Sequence, residues 1–123
     1  MHILFFALAG VAEAIMDTVQ FHYGKSIFSK FDPYFWDPYI SWKNKYEGGE
    51  PEAGPRFQGS TTFLVGLTDG WHLAKLLRNL FLFIGIFFLA YNYCEIVSVL
   101  LHVILCRSIY GIGFTIFYKL FEL

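Results

Sequence analysis

The hydrophobic pattern divides the chain into apolar segments at both ends and a polar segment between them. Residues 2–21 are mostly apolar and match the ~20 residues that a helix needs to cross a bilayer. After the mixed segment 22–60, two further apolar segments cover residues 61–91 and 94–120, joined by Asn92-Tyr93. The pattern predicts an all-α, single-domain membrane bundle of three transmembrane helices with an aromatic-rich interfacial loop.

The second predicted helix is too long for a single crossing. A helix over residues 61–91 would extend for about 46 Å at ~1.5 Å per residue, whereas the hydrocarbon core is ~30 Å thick. We therefore expect either a break near Gly70 or a long helix whose first turns lie outside the lipid. In both cases the spanning part covers about residues 71–91.

The composition indicates a membrane location. Of the 123 residues, 56% are hydrophobic and only 15% are charged, whereas soluble domains carry about 25% charged residues. The formal net charge is −1, and the sequence has no basic stripe of the kind that binds nucleic acid. The expected partner is the lipid bilayer, and nucleic acid is not expected.

The segment 22–60 has the features of an interfacial loop. Asp32 and Asp37 each precede Pro-Tyr, so each can cap a short helix that has proline at its first position. The aromatic residues around them, together with Trp42 and Tyr46, are typical of the headgroup level of a bilayer. The acidic, Gly/Pro-rich stretch 47–55 that follows should be exposed.

The basic residues predict the orientation in the membrane. With three crossings, the long loop, the start of the second helix and the C-terminus share one side. That side holds eight of the nine basic residues: Lys25, Lys30, Lys43, Lys45, Arg56, Lys75, Arg78 and Lys119. The positive-inside rule then places the N-terminus outside, and the long loop and C-terminus in the cytoplasm, in an inner or plasma membrane.

Polar residues inside the helices fall on defined faces. In the first helix, Glu13, Asp17 and Gln20 share an arc of about 60°, which should face other helices because lipid offers polar groups no partner. In the third helix, a polar stripe lies within about 80° and consists of Glu95, Ser98, His102 and Cys106. This stripe is either a packing face or a pathway for protons or ions.

Thr68-Asp69-Gly70-Trp71-His72 is the candidate for a site. Asp69 and His72 share a helical face, as carboxylate-x-x-His metal pairs do. With Asp17 and His22 at the same end of the first helix, they would form a set that suits Zn²⁺ or Fe²⁺ and activates water. The alternative is that Asp69 caps the second helix and pairs with a basic residue. No organic cofactor is expected.

Arg107 lies inside the third predicted helix. A lone cation within the bilayer costs at least ~2.5 kcal/mol, and an acid beside it offsets much of that cost. Asp17 and Asp69 are predicted to lie at a depth in the membrane similar to that of Arg107. We therefore expect one of them to form an ion pair with Arg107.

Three segments between residues 17 and 72 carry a resemblance: S-W-K-N-K-Y at 41–46, S-T-T at 60–62 and T-D-G-W-H at 68–72. They resemble a group of small, uncharacterised bacterial membrane proteins with S-W-K/R-N-K-Y and T-D-x-W-H segments. That group has no known activity. The resemblance implies only that the long loop and the start of the second helix work as one unit.

Three hypotheses for the function follow from these observations. The first is a non-catalytic bundle that forms a homo-oligomer or part of a larger membrane complex, because three helices cannot easily hide their ionisable residues from lipid. The second is an intramembrane metal-dependent hydrolase with its site at the cytoplasmic interface. The third is a proton or ion pathway along the polar stripe. The sequence has no G-x-S-x-G, phosphate-binding glycine loop or Cys-x-x-Cys motif that would identify an enzyme class.

Overall fold

The computed structural model describes residues 1–92 and 96–122. Its α-helices are α1 (His2–His22), α2 (Pro33–Trp36), α3 (Pro38–Ser41), α4 (Gly70–Asn92) and α5 (Ile96–Phe121), and short 3₁₀ turns connect them. Three segments, built on α1, α4 and α5, are long and apolar enough to cross a membrane. The predicted all-α fold with three candidate transmembrane helices is therefore confirmed.

The central element of the bundle is α1. It packs along its length against both α4 and α5, whereas α4 and α5 barely touch each other. Small side chains make this possible, because Ala9 and Ala14 on α1 are completely buried between the neighbouring helices. Most of α4 and α5 remains exposed on the outside. The first helix thus forms the core, and the other two present apolar surface to lipid.

The contact between α1 and α5 is close because glycine lies on both sides of it. A Cβ atom on Gly10 would overlap the backbone of Tyr110, and a Cβ on Gly113 would lie 2.9 Å from the carbonyl oxygen of Ala7. Only glycine allows the two backbones to approach so closely.

The polar stripe lies largely on this face of α5. Glu95 falls outside the described residues. His102 Nδ1 lies 2.7 Å from the backbone carbonyl oxygen of Ser98, its ring lies edge-on to His2 at 5.6 Å, and Cys106 is 1% exposed. The described part of the stripe therefore packs against α1, and conduction along it stays a prediction.

The second long helix begins at Gly70. Residues 61–69, which the sequence also assigned to this helix, instead form turns and a 3₁₀ helix over Val65–Leu67. The first of the two expected alternatives, a break near Gly70, is thus the one observed. The physical reason is the Asp69 carboxylate, which caps α4 by accepting the backbone N–H of His72 at 2.9 Å.

The segment between α1 and α4 folds over one end of the bundle. Phe28 is buried there, stacks on Trp36 with ring centroids 4.8 Å apart, and meets Phe121 at the end of α5. Asp32 and Asp37 cap α2 and α3 through the N–H groups of Tyr34 and Tyr39, as predicted. The long loop and the end of α5 therefore lie at the same end of the bundle.

Candidate functional site

The site begins with Asp69, a carboxylate buried at the start of α4. Only 2% of Asp69 is exposed, so hydrogen bonds from neighbouring groups must stabilise its negative charge in place of water. Its oxygens accept the backbone N–H of His72 at 2.9 Å, the hydroxyl of Thr68 at 3.1 Å and the ring nitrogen Nδ1 of His72 at 2.7 Å. One buried acid therefore both caps the helix and holds an imidazole.

This contact fixes the orientation of His72. A carboxylate only accepts hydrogen bonds, so Nδ1–H is the donor and the neutral ring carries its free lone pair on Nε2. Among the described residues, no hydrogen bond engages Nε2. An acid that orients a histidine in this way is the arrangement used for general-base catalysis.

A pocket of about 280 Å³ opens beside the Asp69–His72 pair. Its apolar walls come from Pro38, Trp42 and Trp71, and its polar lining includes Ser41 and Gln20. Trp71 donates its indole N–H to the side-chain oxygen of Gln20 at 3.0 Å, so α1 and α4 are tied together at the pocket. The pocket is thus mostly apolar with a few fixed polar groups, as ligand sites commonly are.

The long loop forms one wall of this pocket and is joined to the start of α4. Asn44 donates its side-chain amide to the carbonyl oxygen of Thr68 at 3.1 Å and to that of Tyr34. The ring of Trp36 lies directly over Gly70, where a Cβ atom would collide with it. These contacts support the inference from the resemblance that the loop and the start of the second helix work as one unit.

The structure brings together only two of the four proposed metal ligands. Asp69 and His72 are paired, whereas the His22 ring lies edge-on to Tyr118 at 5.6 Å and Asp17 is half-buried on α1. Within residues 1–92 and 96–122, no group of three or more His, Cys, Asp or Glu side chains is placed to hold a metal ion. The alternative that Asp69 caps the helix matches the observed geometry, but its side-chain partner is His72 and not a lysine or an arginine. Binding of Zn²⁺ or Fe²⁺ stays a prediction.

A second polar cluster lies deeper in the bundle and joins all three long helices. Arg78 on α4 donates from a terminal guanidinium nitrogen to Glu13 on α1 at 2.6 Å, and both side chains are about a quarter exposed. The hydroxyl of Tyr110 on α5 faces Glu13 from the other side. The guanidinium of Arg78 donates its remaining bonds to Asn79.

Arg107 lies elsewhere than the sequence suggested. Its guanidinium sits over the ring of Tyr110, 5.3 Å from the centroid, and the residue is exposed. Among the described residues, the ion pairs join Arg78 to Glu13 and His72 to Asp69, so the expected pair of Arg107 with Asp17 or Asp69 is not formed. Arg78 and Glu13 form an ion pair between α4 and α1 in its place.

Sequence reasoning missed Ser41 and the partnership of Glu13 with Arg78. The arc of polar residues on α1 pointed to Glu13, and the S-W-K-N-K-Y segment pointed to the stretch that begins with Ser41, but neither pattern identified a partner. Comparison with protein-family models, with curated proteins and with solved structures found no match for this chain.

Proposed function

We propose that this protein is a membrane-embedded helical bundle that associates with a second copy of itself through the outer face of α5. The observation that carries the proposal is Arg107, an exposed cation in the middle of a membrane-spanning helix. A charge at that depth requires a polar partner, and Glu13 of α1 is already bound to Arg78.

The depth of Arg107 rules out an easy route to water. At ~1.5 Å per residue, its Cα lies about 17 Å from the first residue of α5 and about 21 Å from the last. A long side chain near a helix end can extend to the headgroups, but one near the middle of the span is too far from either surface. A neighbouring chain that supplies hydrogen-bond acceptors would satisfy the guanidinium.

The outer face of α5 is shaped for close helix packing. Ser108, Gly111 and Thr115 recur at spacings of three and four and share one side of the helix, opposite the side that packs on α1. A Cβ atom on Gly111 would meet only the guanidinium of Arg107, at 3.6 Å, so the glycine surface is open. Small residues at this spacing let two membrane helices approach closely.

A second copy suits this face better than lipid does. The hydroxyls of Ser108 and Thr115 donate to the carbonyl oxygens four residues earlier, at 3.0 and 2.9 Å, so they carry no unsatisfied donor into the contact. They keep acceptor capacity for a donor from outside. If two α5 helices pack through this face, Arg107 of each lies at the edge of the contact and can donate to hydroxyl or carbonyl oxygens of the other.

The test is the dissociation constant of the dimer in lipid bilayers, measured by energy transfer between labelled copies at varied lipid-to-protein ratios. Gly111→Ile fills the open surface and should weaken association at least ~5-fold, since overpacking a close contact costs ~1–3 kcal/mol. Ile116→Phe adds bulk at an exposed position about 100° away from Thr115 and should leave association unchanged.

Two results would overturn the proposal. One is a wild-type protein that stays monomeric at every dilution. The other is a dimer that both variants weaken equally, because the contact would then not involve the Ser108–Gly111–Thr115 face.

The orientation of the bundle is a second part of the proposal. The long loop and the end of α5 lie at one end of the bundle, and most of the basic residues are there. We infer that this end faces the cytoplasm and that the N-terminus faces outwards. A Glu50→Cys variant, in a background in which both native cysteines are replaced by serine, should react with an impermeant thiol reagent only after the membrane is opened. Reaction in intact cells would reverse the assignment.

A further inference from the structure

The pocket beside Asp69 and His72 is also lined by Ser41, whose hydroxyl is a possible nucleophile. Ser41 ends α3, and its backbone N–H donates to the carbonyl oxygen of Asp37 at 2.8 Å. The residue is only 3% exposed and lines the same pocket as His72. Among the described residues, its hydroxyl takes part in no hydrogen bond. Although the residue as a whole is buried, its hydroxyl oxygen keeps accessible surface, so a molecule in the pocket can reach it.

We propose that Ser41, His72 and Asp69 form a serine-hydrolase site that cleaves acyl esters at the membrane surface. Each residue has the environment that its role needs. Asp69 is buried and holds His72 through Nδ1, which leaves Nε2 as the base. Ser41 lines the same pocket as His72 and supplies the nucleophile. Its hydroxyl is only weakly acidic, so His72 Nε2 must come within hydrogen-bond distance of it when substrate binds and take its proton.

The chemical steps balance without any further reactant than water. Ser41 Oγ attacks the ester carbonyl carbon while His72 Nε2 takes the hydroxyl proton, and the C–O bond to the alcohol then breaks as that alcohol receives the proton. Water attacks the resulting acyl-serine and gives its proton to His72. The bond between the acyl carbon and Ser41 Oγ then breaks, His72 returns the proton to Oγ, and the carboxylic acid is released. The sum is ester plus water to acid plus alcohol.

Gln20 is placed to stabilise the negative charge on the carbonyl oxygen. Its side-chain oxygen accepts the indole N–H of Trp71 at 3.0 Å, which assigns the other end of the amide as NH₂. That donor belongs to a residue that lines the pocket. An amide donor directed at the developing oxyanion is a common contribution to acyl transfer.

The substrate class follows from the walls and the location of the pocket. Trp42, Trp71 and Pro38 give it apolar sides, and it lies where the membrane-spanning part of α4 begins, at the level of the predicted headgroups. An acyl chain can reach it from the bilayer while the ester group stays at the polar boundary. We therefore assign esters with a single acyl chain, such as a lysophospholipid, as the class of substrate.

The experiment uses a fluorophosphonate probe, which forms a covalent bond only with activated serine hydroxyls, on the full-length protein in detergent micelles. Wild-type protein should be labelled at Ser41, as mapped by peptide mass spectrometry, and should hydrolyse p-nitrophenyl octanoate. Ser41→Ala and His72→Gln should each remove the label and the hydrolysis. Ser29→Ala is the matched control, because Ser29 is exposed in the same loop and donates to Ser26.

Asp69→Asn separates a positioning role from a structural one. Asparagine caps a helix as well as aspartate does, so the thermal stability of the variant should match the wild type. The amide changes the preferred hydrogen bonding of His72, and the labelling rate should fall on the order of 10³–10⁴-fold. A wild-type protein that is not labelled overturns the proposal, as does labelling that persists in Ser41→Ala or is unaffected by His72→Gln.

Discussion

The two outer helices each carry an arginine within the membrane-spanning region, and the two guanidinium groups have different partners. Arg78 on α4 points into the bundle and is bonded to Glu13 of α1 at 2.6 Å. Arg107 on α5 lies over Tyr110 and remains exposed. The same residue type therefore has a charged partner in one helix and an aromatic ring in the other.

The difference comes from the position of the acid on α1. Glu13 contacts both neighbours, through Arg78 on one side and Tyr110 on the other. A single carboxylate neutralises a single guanidinium, and within residues 1–92 and 96–122 Arg107 forms no ion pair. We infer that Arg78 contributes to the stability of the monomer, whereas Arg107 contributes to its association.

The largest expected effect follows from breaking the pair on the α4 side. Glu13→Gln leaves Arg78 without its acid inside the bundle, and an unpaired cation there costs ~2.5–3.5 kcal/mol. The variant should unfold at a much lower temperature in detergent, as measured by circular dichroism. Its association through α5 should be unchanged in whatever fraction remains folded.

A double variant supplies the control for this prediction. Glu13→Gln combined with Arg78→Gln removes both charges and should recover part of the stability that the single change loses, because no unpaired charge remains. If the double variant is as unstable as the sum of the two single variants, the pair does not act as a unit and the comparison between the two arginines fails.

The next prediction compares two glycines. Gly10 lies in the contact between α1 and α5, and Gly111 lies on the face of α5 that is proposed for association. Gly10→Ala places a Cβ against the backbone of Tyr110 and should destabilise the fold by ~1–3 kcal/mol, as overpacking does. Gly111→Ala adds the same atom on the open side of α5, where it meets only Arg107. It should leave the unfolding temperature unchanged or slightly raised, since alanine favours a helix more than glycine does.

Chemical denaturation in mixed micelles distinguishes the two glycine variants. Equal losses of stability would show that α5 packs against α1 with a different face from the one described.

The sequence predicted the helices well because long apolar segments leave few alternatives to a membrane-spanning helix. It also offered the cap at Asp69 as one of two alternatives.

The prediction for Arg107 is wrong because a helical face gives a direction but not the depth of a neighbouring residue. His2 lies beside His102 and Gly10 beside Tyr110, so Arg107 is level with the first half of α1. The same register puts Arg107 level with about residue 7, so Asp17 lies nearly three turns further along α1.

The partnership of Arg78 with Glu13 also depends on register. Trp71 of α4 meets Gln20 of α1, and Arg78 and Glu13 each lie seven residues from that contact, in the directions expected for two antiparallel helices. The sequence alone does not give the Trp71–Gln20 contact. Once that single contact is known, the ion pair follows from the helical repeat.

The position of Ser41 was beyond sequence reasoning for a different reason. The chain reaches the pocket through short helices and 3₁₀ turns that have no hydrophobic period to read. Their arrangement depends on individual contacts such as Phe28 on Trp36 and Asn44 on Thr68. The resemblance linked the two segments that form the pocket without indicating which side chains face it.

The smallest effect concerns Tyr110, the residue that touches both polar groups. Tyr110→Phe keeps the ring beneath Arg107 and removes only the hydroxyl that faces Glu13. A single hydrogen bond to a charged group contributes ~1.5–3 kcal/mol at most, and less where the acid keeps another partner, so we expect a loss of about 1 kcal/mol in unfolding free energy. Association should be unchanged.

Tyr110→Leu is the control, because it removes the ring as well. Arg107 then loses the surface that holds its guanidinium in place, so dimerisation should weaken too. If Tyr110→Phe weakens association as much as Tyr110→Leu does, the two arginine sites are coupled through Glu13 and the separation of fold from assembly does not hold.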